Sequence, residues 1–197
     1  MDITKFTQKS IEALNGLEKC AYEFGNQEIE QEHLLYTLTH QEGSLILGLV
    51  EKMDINKEYF LNSIDKLIQA RVKVSNAKPY IGNYLNQVLV NAENEAKAMG
   101  DEYVSVEHLF LAMIRQPSPT IKKFFNEFGI TRERFLQVLS TVRGNQKVTS
   151  DNPEATYDTL NKYGQDLVEK AREQKLDPVI GRDTEIRNLI RILSRKT

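Results

Sequence analysis

The sequence has little cysteine, no tryptophan and no long apolar run. Its 197 residues include a single cysteine, Cys20, so no disulfide can form within the chain, and this favours a reducing compartment. No apolar stretch approaches the roughly 20 residues that a membrane helix needs, and the first residues lack the pattern of a secretory signal peptide. We therefore expect a cytoplasmic protein that does not bind membranes.

The chain also lacks an excess of charge of either sign. It contains 26 basic and 28 acidic residues, which gives a net charge of −2 and no electrostatic reason to expect a nucleic-acid partner. Arg187, Arg191 and Arg195 form a stripe at four-residue spacing, but no aromatic residues are interleaved with them. We therefore predict that the chain binds no nucleic acid.

What the sequence does contain is an internal duplication. When residues 11–68 are aligned without gaps to residues 86–143, at an offset of 75, 13 of 58 positions are identical. Unrelated sequences would match at only about 6% of positions. Copies of this length are too long for the units of a solenoid, so they predict two similar bundles related by a pseudo-twofold axis.

Both copies have the periodicity of helices. Gly25 and Gly100 follow the first helix of each copy, where a left-handed residue commonly ends a helix, and Asn56 and Thr131 stand at matching N-cap positions of the fourth. The second helices are predicted over 31–40 and 106–115, and the third apolar stretches over 45–53 and 121–128. The alternation typical of strands is missing. The predicted fold class is all-α, with two four-helix repeats at about residues 4–70 and 80–143.

The candidates for chemistry are few. His33 and His108 occupy equivalent positions, but neither has a second metal ligand three or four residues away, so we predict no metal site and a structural role in bonding an interhelical loop. Cys20 lies in the middle of a helix without a histidine partner, and its counterpart Glu95 suggests an exposed position in the second copy. No catalytic residue is predicted.

The composition changes after Gly144. Residues 144–156 are polar, include Pro153 and lack helical periodicity, so we predict a linker there and expect residues 1–143 to fold by themselves. Residues 157–197 then contain a helix, the loop "LDPVIGRD" and a last helix. The chain contains no Walker A motif, so it is not expected to be an enzyme.

These residues resemble a known family. The duplicated segments "IEQEHLLYTL" and "VSVEHLFLAM" are similar to the N-terminal domain of the Clp AAA+ unfoldases, and residues 157–197 resemble the start of their first ATPase domain. The join between the two, "VRGNQKVTSDNPEATYDTLNKYG", resembles that of the ClpB disaggregases. The alternative is the adaptor- or substrate-binding N-domain of a Clp unfoldase that works with the ClpP protease, in which this connection is usually shorter.

The resemblance implies a chaperone function. It implies that the N-domain engages unfolded or aggregated polypeptides and passes them to a hexameric ring, which uses ATP and Mg²⁺ and cooperates with the DnaK chaperone system; the chain itself would hold no cofactor. It assigns Val179, Ile180 and Gly181 to an incomplete adenine pocket. It also assigns Thr7, Asp101 and Glu107 to a surface for substrate binding or communication, with helix capping as the alternative role. His108 stands where ClpB-type domains can carry leucine.

Overall fold

The computed structural model describes residues 3–74, 78–144, 146–153, 182, 187, 188 and 191. The chain divides into two compact units, Met1–Asp158 and Thr159–Thr197. The predicted adenine-pocket residues Val179, Ile180 and Gly181 lie outside the described residues. Within the described part, no helix is both long enough and apolar enough to cross a membrane.

The described part of the first unit consists of eight α-helices in two sets of four. After a short 3-10 turn, Ile3–Lys5, the helices are α1 (Gln8–Phe24), α2 (Gln31–His40), α3 (Leu45–Lys52), α4 (Lys57–Gln69), α5 (Asn83–Met99), α6 (Val106–Arg115), α7 (Pro119–Glu127) and α8 (Arg132–Arg143). The first, second and fourth helices of the two sets begin at positions that differ by the offset of 75 found in the sequence. The predicted all-α class and the two repeats are confirmed.

Helix ends follow the signals in the sequence. Gly25 and Gly100 take the left-handed conformation, with φ of 71° and 70°, and so end α1 and α5 in the same way. The side chains of Asn56 and Thr131 accept hydrogen bonds from main-chain amides three residues ahead and thereby cap α4 and α8.

Short extended segments join the two repeats, and these were not predicted. The strand β1 (Glu28–Ile29) of the first repeat pairs in parallel with β2 (Tyr80–Ile81), which precedes the second. The equivalent pairing at the other end joins Phe6 to Val104. Each repeat thus begins with an extended residue that pairs with the other repeat. The pairs are too short to show the alternation by which strands are recognised in a sequence.

The apolar core is continuous across both repeats. Phe60 of α4 contacts Phe124 of α7 and the adjacent Phe128, with ring centroids 5.3 and 5.0 Å apart, and all three rings are buried. Buried Gln31 of α2 donates to the carbonyl of Gln116 at 2.8 Å and accepts from the Ser118 amide at 2.8 Å. Neither repeat therefore completes its core or its polar contacts alone.

The start of the predicted linker is bound to the domain. Residues 146–153, which we call the docked segment, bury the side chains of Val148 and Pro153. The Gln8 amide donates to the carbonyl of Asp151 at 2.7 Å. Val148 therefore completes part of the buried surface of the domain, and independent folding of residues 1–143 stays a prediction.

Candidate functional site

The two equivalent histidines organise the loops between the first and second helices of each repeat. In the first histidine loop, residues 26–33, Nδ1 of His33 accepts from the amide of Glu30 at 3.0 Å. Its Nε2 lies 3.1 Å from Oδ1 of Asn26. Because Nδ1 is an acceptor, the proton resides on Nε2, which donates to Asn26. The predicted loop-bonding role of His33 is confirmed.

The environment of His33 favours this neutral form. Burial first, and the positive charge of Arg71 second, lower the pKa of His33 to about 4, although the hydrogen bond with Glu30 opposes them. Glu30 itself reaches across to the second repeat, where its carboxylate accepts from the amides of Tyr84 and Leu85 at 3.2 and 2.9 Å. The first histidine loop thereby caps α5.

The second histidine loop, residues 101–108, has the same frame with different charges. Nδ1 of His108 accepts from the Ser105 amide at 3.0 Å, and its Nε2 donates to Oδ2 of Asp101 at 2.9 Å. The other carboxylate oxygen of Asp101 accepts from Arg143 and, at 3.0 Å, from the Val148 amide. Burial alone would raise the pKa of the Asp101 carboxyl. Its three donors outweigh burial and hold that pKa well below its usual range.

A buried glutamate accompanies each histidine. Glu32 forms an ion pair with Arg71 at 2.9 Å, and Glu107 lies 3.6 Å from Arg143. Both glutamate side chains are almost entirely inaccessible to solvent, so each arginine supplies the nearby positive charge that a buried carboxylate requires. The sequence predicted neither arginine as a partner, because Arg71 follows α4 whereas Arg143 is the last residue of α8, and the offset of 75 does not relate the two positions.

The predicted surface residues are not exposed. Thr7 is buried, and its hydroxyl caps α1 by accepting from the Ser10 amide at 3.3 Å, as the capping alternative proposed. Asp101 and Glu107 are also buried and meet at Arg143. The placement of these residues on the surface is therefore corrected, while their role in binding or communication stays a prediction.

The position equivalent to Cys20 is buried as well. Glu95 lies within the fold and pairs with Arg115 at 3.3 Å and Arg132 at 2.7 Å, so its expected exposure is wrong. Burial, followed by the negative charge of Glu23, raises the pKa of the Cys20 thiol to about 12. This thiol is not activated for nucleophilic chemistry.

Several exposed apolar side chains are grouped around the connection between the repeats. Five large apolar side chains of this region, which we call the connector patch, are wholly or partly exposed: Val72, Val74, Tyr80, Ile81 and Tyr84. Three of them, Val72, Val74 and Tyr80, line a pocket of about 520 Å³. The same pocket is bordered by Glu28, Glu32 and Arg71. The sequence did contain a signal for this patch, because the connection between the two repeats is rich in apolar residues. A search for helical periodicity does not detect it.

Comparison with known proteins identifies the family. A family model described as the Clp repeat (R) N-terminal domain matches residues 5–128. Over its whole length the chain is 48% identical to the chaperone protein ClpB of Nitratidesulfovibrio vulgaris and 44% identical to that of Bacillus anthracis, covering 24% and 23% of those proteins. The chain thus spans about a quarter of the length of these curated relatives.

Solved structures share the fold. The Hsp104 N-terminal domain from Candida albicans matches with a TM-score of 0.67 at 21% identity, covering 76% of this chain and 99% of that domain. The N-domain of ClpV from Vibrio cholerae matches with a TM-score of 0.58 at 19% identity, covering 71% and 85%. The chain belongs to the Clp N-terminal domain family, and over its whole length it is similar to the N-terminal region of the ClpB chaperones.

Proposed function

We propose that this chain is the substrate-engaging N-terminal domain of an ATP-dependent protein disaggregase. It binds unfolded or aggregated polypeptides and passes them to the ATPase ring. The similarity to ClpB over the whole chain supports this class of protein. The observation that carries the proposal for this domain is the connector patch, because exposed apolar side chains grouped beside a pocket are typical of interaction sites.

The domain contributes binding and not catalysis. Both ring nitrogens of His33 and of His108 are engaged in hydrogen bonds, and the Cys20 thiol has a raised pKa, so these side chains serve the fold. In the whole protein, which acts in the cytoplasm, six copies form the ring. Hydrolysis of ATP with bound Mg²⁺ supplies the energy, and the DnaK system supplies substrates. Val179, Ile180 and Gly181 are proposed to border the adenine there.

Thr7, Asp101 and Glu107 are proposed to serve communication between the domain and the chain that follows. Asp101 bonds the docked segment directly at Val148, and Glu107 acts on it through Arg143, whose Nε donates to the Gln146 carbonyl at 2.6 Å. Thr7 precedes the amide that bonds Asp151. Amide hydrogen exchange tests their effect on the docked segment. Glu107→Gln should speed exchange at residues 146–151 in a chain that is still folded, which a melting temperature above the assay temperature verifies.

A binding assay tests the main proposal. The full chain is titrated into fluorescently labelled lactalbumin that has been reduced and carboxymethylated, so that it stays unfolded, and into the native form. We expect a Kd on the order of tens of micromolar or weaker for the unfolded form, as suits one small transient surface, and no binding of the native form. Equal affinity for both forms, or no binding of either, would contradict the proposal.

A second assay distinguishes disaggregation from the alternative function, in which the domain serves a ClpP-coupled unfoldase. The full-length protein is immobilised and offered the DnaK-system components and ClpP at equal concentrations. Retention of the DnaK components supports disaggregation, whereas retention of ClpP alone supports the protease-coupled function.

A further inference from the structure

We infer that the pocket beside the connector patch binds an extended polypeptide segment in the way that the second repeat holds its own docked segment. The inference rests on the proposed function and specifies where and how the polypeptide is held. It follows from comparing the two histidine loops, which share one frame but differ in what covers them.

In the second repeat, the site is filled by the chain itself. The amide of Val148 donates to Asp101 Oδ1, and the carbonyl of Val148 accepts from the Glu102 amide at 3.0 Å. The Val148 side chain is 0% exposed. The neighbouring Phe6, whose backbone pairs with Val104, is 1% exposed. An extended segment with one apolar side chain therefore completes this corner of the domain.

In the first repeat, the chain also returns to the histidine loop but leaves its apolar side chains outside. The Asn26 side chain donates to the Val72 carbonyl at 3.1 Å, yet the side chain of Val72 is 81% exposed. Ile81, which occupies the position equivalent to Phe6, is 51% exposed. The pocket of about 520 Å³ is lined here by Gln27 and Glu28, the counterparts of Glu102 and Tyr103 at the docked segment. The first repeat thus has an open version of the filled site.

The filled site indicates the chemistry of the occupant. It is a short extended segment with a valine or similar apolar side chain, and we expect its carbonyl to accept from the Gln27 amide as the Val148 carbonyl accepts from Glu102. The pocket wall contains two carboxylates, Glu28 and Glu32, and one guanidinium, Arg71. The excess negative charge favours a lysine beside the apolar residue, and Lys147 precedes Val148 in the docked segment.

The test uses a labelled peptide with the sequence of residues 146–151, Gln-Lys-Val-Thr-Ser-Asp, together with the unfolded lactalbumin of the first assay. Amide shifts of the ¹⁵N-labelled full chain are recorded during the peptide titration. We expect the largest changes at Gln27, Val74 and Tyr80, which line the pocket. Tyr80→Ser and Val72→Ser change exposed side chains that line the pocket, so both variants should fold, and each should weaken peptide and lactalbumin binding by roughly tenfold.

The matched control is Val90→Ser, because Val90 is an exposed valine on α5 that does not line the pocket, and its binding should equal that of the unchanged chain. If unfolded lactalbumin binds but Tyr80→Ser and Val72→Ser match the control, the location is wrong and the proposed function survives. Shifts concentrated at Asp101 and Glu102 would mean that the peptide displaces the docked segment, and would also overturn the inference. If the unchanged chain binds no unfolded lactalbumin, the proposed function itself fails.

Discussion

Replacing Asp101 by asparagine tests whether the second histidine loop depends on the polarity of one side chain. The first repeat has asparagine, Asn26, at the equivalent position, where its oxygen accepts from His33 and its amide donates to the Val72 carbonyl. At Asp101, by contrast, both oxygens face donors. An asparagine there would place its NH₂ group against a donor in either orientation.

The magnitude follows from these contacts. A buried donor left without an acceptor costs about 1–3 kcal/mol, and breaking a buried ion pair costs about 3–5 kcal/mol. Arg143 would keep the carboxylate of Glu107 at 3.6 Å and the carbonyl of Gln146, so the second cost is only partly incurred. We expect Asp101→Asn to lower the free energy of unfolding by about 3 kcal/mol, a large part of the stability of a small domain.

The assay is urea denaturation of the full chain followed by circular dichroism, with amide exchange at Val148 as a local measurement. Asp151→Asn is the matched control, because it removes the same charge from an exposed aspartate whose oxygen can still accept from Gln8. The control should stay within about 0.5 kcal/mol of the unchanged chain. A loss below about 1 kcal/mol for Asp101→Asn, with the Val148 amide still protected, would refute the reasoning.

Three further predictions concern other buried groups. The methyl group of Gly82→Ala would lie 2.1 Å from the Glu30 carboxylate that caps α5, so we expect urea denaturation to show a loss of about 1–2 kcal/mol in the free energy of unfolding. The control, Gly48→Ala, places its methyl group in open space and should be neutral or stabilising. Equal effects of the two substitutions would contradict this prediction. Burial raises the pKa of the Cys20 thiol to about 12, so at pH 8 this thiol should react with a disulfide reagent at least about 100-fold more slowly in the folded chain than in urea. Similar reaction rates in the two states would disprove its burial. The pKa of His33 is lowered to about 4 in the folded chain, so as the pH falls the unfolded chain binds this proton first. The contribution of His33 to the free energy of unfolding is therefore fully present above about pH 6.5 and should fall by on the order of 3 kcal/mol towards pH 4. A His33→Gln variant whose stability depends on pH just as steeply would exclude this contribution.

The helices could be read from the sequence because their signals are local. Gly25 and Gly100 end helices through their own backbone conformation, and Asn56 and Thr131 cap helices through amides three residues away. The duplication then predicted two sets of four helices, because the same apolar spacing recurs in both copies. The role of His33 and His108 followed from their recurrence at equivalent places.

The partners of buried charges could not be read in this way, because they depend on contacts distant in sequence. Arg143 meets Asp101 across 42 positions, and the Val148 amide meets it across 47. The polar composition of residues 144–156 predicted a linker. That prediction missed the docked segment, in which a single valine is buried while main-chain hydrogen bonds hold the segment on the domain. Exposure of Glu95 was inferred from charge alone, but two arginines from other helices make its burial tolerable.

The two repeats differ in the chemistry of one side chain that follows the first helix, Asn26 in one and Asp101 in the other. An asparagine offers both a donor and an acceptor, so once Asn26 accepts from His33 its remaining group must face a carbonyl, which Val72 provides. A carboxylate offers only acceptors, so once Asp101 accepts from His108 its remaining oxygen must face amides, which Val148 provides. The returning chain therefore presents the Val72 carbonyl to Asn26 and the Val148 amide to Asp101. The two valines also differ in burial, because the Val148 side chain is 0% exposed and the Val72 side chain, which lines the pocket of the first repeat, is 81% exposed.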